Sequence, residues 1–231
     1  MEAKFGSLER PVRPAPPSLD EPPEREVPLW ISILLVFFML VVVLGSGLYI
    51  GYRYFWNPFD HMPRLDSELR RWTEVVKAEP DNTEGHYQLG WTYYQKGEYD
   101  QAIAEYRKTL ELEPKHVGAR YNLGVALMAK KDYPAARAEL QSVVDSYPKH
   151  ELAQFTLGVL LVKTKDYDSA IGRLEQFLRL DRTSADGHYW IGVAFEGKGE
   201  TEKAILNYRE ALRYNPKHPE ANKALARLQN R

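Results

Sequence analysis

Residues 86–114 read HYQLGWTYYQKGEYDQAIAEYRKTLELEP, and residues 121–140 read YNLGVALMAKKDYPAARAEL. The second stretch restates the first 34 residues further on, and the same spacing runs on to residue 218. Four copies begin at Thr83, Val117, Glu151 and Ala185, with no insertion between them. Position 8 of each copy is Gly90, Gly124, Gly158 and Gly192. Position 20 is Ala102, Ala136, Ala170 and Ala204. Position 7 is Leu89, Leu123, Leu157 and Ile191. A fixed period of this length marks a solenoid built from one supersecondary unit.

Within each copy the apolar residues recur at three- and four-residue steps, so each copy predicts two helices. A turn falls at Gly97 and Gly199, with Lys131 and Lys165 at the equivalent places. If that turn is left-handed, lysine there costs about 1 kcal/mol relative to glycine. Pro134 suits the first turn of a second helix. Pro114, Pro148 and Pro216 end the second helices, whereas copy three has Arg182, which predicts a less sharp boundary. Gly90 and Ala102 are small because two helices cross closely at that level, and a larger side chain would overpack by roughly 1–3 kcal/mol.

This pattern resembles the tetratricopeptide repeat (TPR) family over 136 of 231 residues. The resemblance implies an all-α, right-handed solenoid of helix-turn-helix repeats whose business is protein binding. The copies are 83–116, 117–150, 151–184 and 185–218. Residues 65–82 align with the second helix of a repeat, with Leu69, Trp72, Val75 and Val76 as its apolar face. Residues 219–231 align with a first helix. Both read as caps with a polar outer face, which solenoids need for solubility.

The chain before the array has a different composition. Residues 1–28 hold seven of the fifteen prolines and read as a disordered tail. Residues 29–50, LWISILLVFFMLVVVLGSGLYI, carry no charge over 22 residues. A bilayer core needs ~20 apolar residues, so this stretch predicts a single transmembrane helix preceding the solenoid. Trp30 lies at one end, and Tyr49, Tyr52, Tyr54, Phe55 and Trp56 lie at the other, as an aromatic belt would. Residues 51–64 form a juxtamembrane loop. The expected localisation is therefore a single-pass membrane protein. Basic residues near the span lean faintly to a cytoplasmic array, whereas similar single-span repeat proteins display theirs outside the cytoplasm. The outward reading is preferred, with the inward one as the alternative.

The resemblance also places a groove. In the family, positions 2, 5, 9, 12 and 13 of each first helix point into a concave face. Position 5 is Tyr87, Tyr121, Phe155 and Tyr189. Position 9 is Trp91, Val125, Val159 and Val193. Position 12 is Tyr94, Met128 and Val162, with Glu196 closing the row. An aromatic stripe beside an aliphatic one predicts a surface for an apolar segment of another protein. Lys163 is the one cation expected on that face, which argues against a basic clamp for carboxylates.

Other classes of function find little support. Lysine plus arginine (31) and aspartate plus glutamate (32) balance at a net charge of −1, which gives no electrostatic case for nucleic acid. The chain has no cysteine. It has no phosphate loop, no G-x-S-x-G and no H-E-x-x-H, so no catalytic residue, cofactor or metal site is expected. His116, His150 and His218 share position 34 of copies one, two and four, and successive copies stand roughly 10 Å apart; these three, with His86 and His188, are read as turn and surface residues. The resulting expectation is a membrane-tethered adaptor that binds client proteins, assisting secretion, maturation or assembly of membrane or envelope complexes. The alternative is a self-associating, homo-oligomeric component of a membrane assembly.

Overall fold

In the computed structural model, residues 62–229 are described. Among them the chain forms ten helices and no strand. They are α1 (Met62–Ala78), α2 (Thr83–Gln95), α3 (Tyr99–Leu112), α4 (Val117–Ala129), α5 (Tyr133–Ser146), α6 (Glu151–Lys163), α7 (Tyr167–Leu180), α8 (Ala185–Gly197), α9 (Thr201–Tyr214) and α10 (Pro219–Gln229). Consecutive helices pack as neighbours, and the first helices α2, α4, α6 and α8 also touch one another in series.

Each first helix starts on a side-chain cap. The Asn82 Oδ1 accepts from the Gly85 N–H at 2.7 Å, and the Ser184 Oγ accepts from Gly187 at 3.2 Å. Three histidines do the same with an imidazole nitrogen. The Nδ1 atoms of His116, His150 and His218 accept from Ala119, Ala153 and Ala221 at 3.0, 3.2 and 3.3 Å. Each satisfies one of the free N–H groups at a helix start. Position 34 is therefore a capping position. His218 and His86 are buried, which corrects their reading as surface residues. His86 sits between Glu105 and the Pro80 carbonyl, at 2.6 and 2.9 Å.

The turns inside the copies are left-handed, at the lysines as well as at the glycines. Gly97 and Gly199 have φ of 78° and 79°; Lys131 and Lys165 have 66° and 64°. The next N–H then reaches back to close the turn, as in Glu98 to the Tyr93 carbonyl at 2.9 Å and Asp166 to Leu161 at 2.9 Å. α7 ends in register with the other second helices despite Arg182, but its corner is looser: the Ser184 N–H stands 3.5 Å from the Asp181 carbonyl, against 2.9–3.0 Å for the same bond in the other copies. The Asp181 carboxylate accepts from the Thr183 N–H and hydroxyl, both at 3.1 Å, and holds that corner instead of a proline.

The core is a ladder of the same contact repeated four times. Ala102, Ala136, Ala170 and Ala204 have no exposed surface, and neither do Tyr106, Leu140, Leu174 and Tyr208 at position 24. The position-8 glycines face these position-24 side chains. A methyl on Gly90 would lie 2.9 Å from the Tyr106 ring. On Gly124, Gly158 and Gly192 it would lie 2.7, 2.6 and 2.6 Å from Leu140, Leu174 and Tyr208. At the amino-terminal end, a methyl on Gly85 would meet Val75 and Val76 at 3.1 Å, so the apolar face of α1 covers copy one.

Residues 29–50, the expected transmembrane helix, lie outside the described residues, as do the tail before them and residues 51–61. Among the described residues no helix is long and apolar enough to cross a membrane. They run from 11 to 17 residues, short of the ~20 apolar residues a bilayer core requires. The single-pass membrane localisation, with the array on either side, is corrected on that ground and is not supported.

Candidate protein-binding groove

The first helices carry the eleven residues expected to line a groove, and the structure does not treat them alike. Tyr87, Trp91, Tyr94, Tyr121 and Val125 meet around one open cleft of ≈ 550 Å³ on α2 and α4. Its remaining wall comes from Gln88, Gly118 and Asn122, and from His150 and Leu152 at the start of α6. No Asp, Glu, Lys or Arg lines it. Val162, Tyr189 and Val193 line a second pocket of ≈ 470 Å³ farther along the row, with Lys163, Lys165, Glu196 and Arg227. Met128, Phe155 and Val159 line neither. Val159 and Val162 are 6% and 7% exposed, so α6 offers little of its aliphatic stripe to a partner. That helix packs more closely on α8 than the other first helices pack on one another.

The cleft is held open by packing beneath it. The Tyr87 ring lies over His116 at 4.7 Å between centroids, and the Tyr121 ring over His150 at 5.4 Å. Asn122 Nδ2 donates to the Tyr87 hydroxyl at 3.2 Å, and the Tyr121 and Thr156 hydroxyls share a bond of 3.2 Å. Each position-5 tyrosine is thus fixed by the next copy. Trp91 stacks on Tyr94 at 5.7 Å and stays 41% exposed, and Leu152 across the cleft is 59% exposed. Tyr94 also packs against Tyr99 at 5.5 Å, and burial pushes its phenol above the ordinary tyrosine range.

The far pocket is polar. The Glu196 carboxylate accepts the Tyr208 hydroxyl at 2.8 Å, and both its oxygens take the Arg227 guanidinium at 2.7 Å. Burial, and then the negative charges of the nearby Glu220 and Glu196, raise the Tyr189 phenol there. Sequence reading missed Leu152, His150 and Asn122 in the cleft, and Lys165 and Arg227 in the pocket. Position 2 was in the family pattern, so Leu152 could have been found. Arg227 could not, because it arrives from the cap 31 residues beyond Glu196. Among the described residues, no group of three His, Asp or Glu is placed to hold a metal ion.

Three tetratricopeptide repeat models match the chain, at residues 69–110 and 87–151, 127–190, and 185–218. The chain belongs to the tetratricopeptide repeat family. Among solved structures it is similar to MamA, at 28% identity and a TM-score of 0.64, covering 69% of this chain and 93% of that one. It is also similar to YrrB, a TPR protein with an unusual peptide-binding site, at 24% identity and a TM-score of 0.64, covering 75% and 89%. A stretch of 54 residues is 37% identical to the probable biofilm formation methyltransferase WspC of Pseudomonas putida. It covers 23% of this chain and only 13% of that protein, and it carries no catalytic implication.

Proposed function

We propose that the chain is a protein-binding adaptor that holds an apolar segment of a partner in the cleft between α2 and α4. The observation that carries this reading is the cleft itself: Trp91 and Leu152, both widely exposed, face a space of ≈ 550 Å³ with no charged lining residue. A large apolar side chain left in water on both walls is recovered when a partner covers it, at about 25 cal/mol per Å² of apolar area. Tyrosine and tryptophan suit the task, since their rings are stiff and their polar tips can bond to a peptide backbone. YrrB, described with a peptide-binding site, shares the fold, and the residues assigned here rest on this chain's own geometry.

The test is photo-crosslinking in the native cell, with a benzophenone amino acid at Leu152 of the full-length chain. A crosslink to a different polypeptide, lost with Trp91→Ala, supports the adaptor reading. A crosslink only to a second copy of the chain moves the function to self-assembly. No crosslink from Leu152, with one from an outer-face control at Leu206, removes the cleft as a binding site.

A further inference from the structure

The turn that closes the first helix of copy three breaks a charge pattern kept by the other copies. In copies one, two and four, position 14 is Lys96, Lys130 or Lys198, each tied to the position-18 aspartate of the preceding unit. Lys96 meets Asp66 at 2.6 Å, Lys198 meets Asp168 at 2.6 Å, and Lys130 meets Asp100. In copy three that position is Thr164, and its counterpart in copy two is Pro134, so both halves of the tie are gone. Lysines stand on either side of it instead. Among the described residues, neither Lys163 nor Lys165 has a carboxylate partner, although the Lys163 Nζ lies 5.9 Å from the Trp190 ring centroid.

Both lysines line the ≈ 470 Å³ pocket, and Arg227 lines it with them. Arg227 commits one nitrogen, Nη2, to Glu196, whose carboxylate is also bonded by Tyr208. Three cations therefore share the pocket with a single carboxylate that is already satisfied. The cleft around Trp91 has no charged lining residue at all. The row of first helices runs from a neutral apolar end to a cationic end.

We propose that this pocket takes an Asp or Glu side chain from the same partner segment whose apolar anchor fills the Trp91 cleft. The inference rests on the adaptor reading and adds charge and direction to it. Packed helices lie roughly 10 Å apart, so Trp91 on α2 and Lys163 on α6, two first helices further on, are about 20 Å apart. At ~3.3 Å per extended residue, anchor and acid stand roughly six residues apart in an extended segment. A carboxylate held by two ammonium groups and the free edge of a guanidinium forms charge-assisted bonds, the stronger kind.

A random-peptide phage library panned against the full-length chain supplies the probes. Selected peptides should carry an apolar cluster and, about six residues away, Asp or Glu. The variant Lys163→Ala/Lys165→Gly removes both lysines and keeps the turn, because glycine accepts the φ of 64° at residue 165. It should select peptides with the apolar cluster but without the acid. It should also bind the wild-type peptides about 10- to 100-fold more weakly. Acidic enrichment that persists in the variant, or is absent from the wild type, overturns the proposal while leaving the cleft intact. Loss of binding on amidating a synthetic peptide's carboxyl end, with its acidic side chains dispensable, assigns the pocket to a chain terminus and overturns it as well. If no peptide is selected, or the selected ones ignore Trp91→Ala, the adaptor reading fails and this inference falls with it.

Discussion

The ring of Tyr87 lies over the ring of His116, 4.7 Å away and 29 residues along the chain, while the same histidine caps α4 through Nδ1. Tyr121 with His150, and Tyr189 with His218, repeat the arrangement. Copy three has neither member: Phe155 packs on Phe177 at 5.0 Å instead, and Ser184 caps α8. One side chain thus ties a groove tyrosine to the start of the next helix.

That double role separates two substitutions. His116→Asn keeps an acceptor for the Ala119 N–H and loses only the ring contact. His116→Ala loses both, and should be less stable than the asparagine variant by about 0.5–2 kcal/mol. Urea unfolding midpoints of the two variants decide it, and equal midpoints would show that the cap contributes nothing.

The glycines of the core ladder differ from those on the surface. In Gly158→Ala the new methyl would lie 2.6 Å from Leu174 Cγ, a branch point with no exposed surface and no room to move. Alanine's gain of about 1 kcal/mol in helix propensity is smaller than the strain, so the variant should lose roughly 1–3 kcal/mol. Gly172→Ala in α7 meets nothing within 4 Å and should gain about 0.5–1 kcal/mol. Thermal melts should therefore move in opposite directions.

Alkaline pH should unfold the array through two core phenols. Burial pushes the Tyr106 hydroxyl well above the tyrosine range, and burial plus the bond to Glu196 does the same for Tyr208. In the unfolded chain these phenols ionise near pH 10, whereas the folded chain keeps them neutral. Stability is thus unaffected well below about pH 10 and falls as the pH rises above it. Tyr106→Phe should blunt that fall and cost nothing at neutral pH, since its hydroxyl finds no hydrogen-bond partner among the described residues. Tyr208→Phe should also blunt it, but at a loss of about 1–2 kcal/mol at neutral pH. Urea midpoints at about pH 7 and about pH 10.5 check both.

Two positions on α6 separate fold from binding. Val159 is 6% exposed, so Val159→Asp buries an unpaired carboxylate and should cost about 3–5 kcal/mol, enough to unfold much of the array. Leu152 is 59% exposed, so Leu152→Asp should change stability by no more than about 0.5 kcal/mol while weakening capture of an apolar segment. Circular dichroism reads the first outcome and peptide binding the second. A folded, unaltered Val159→Asp variant would contradict the burial.

More was legible in the sequence than the repeat alone. In three places a departure from the pattern is matched by one at the position it would contact: Phe155 with Ser184, Thr164 with Pro134, and Arg182 with His188. The last pair follows from position 4, where His86, Arg120 and Gln154 each reach the carbonyl of the preceding proline at 2.9, 2.7 and 2.9 Å. These paired exceptions name contacts across 29, 30 and 6 residues without any structure. The uninterrupted apolar run at 157–162 was a further signal. A helix apolar on all sides is a buried one, which is what α6 became.

The sequence by itself determined the period, the turns and the glycine–alanine skeleton, because each depends on sterics within one copy or against the next. Left-handed φ at the turns, a missing methyl opposite a core side chain and a capping acceptor are local demands that particular residues meet. Only the tertiary structure decided which groove positions stay open. Val159 and Val125 occupy the same place in their copies, yet one is buried and the other lines the cleft. Exposure depends on every neighbour at once: the closer packing of α8 on α6, and an arginine from the cap that reaches Glu196 across 31 residues. No periodicity within a single copy records which side chains arrive from outside it.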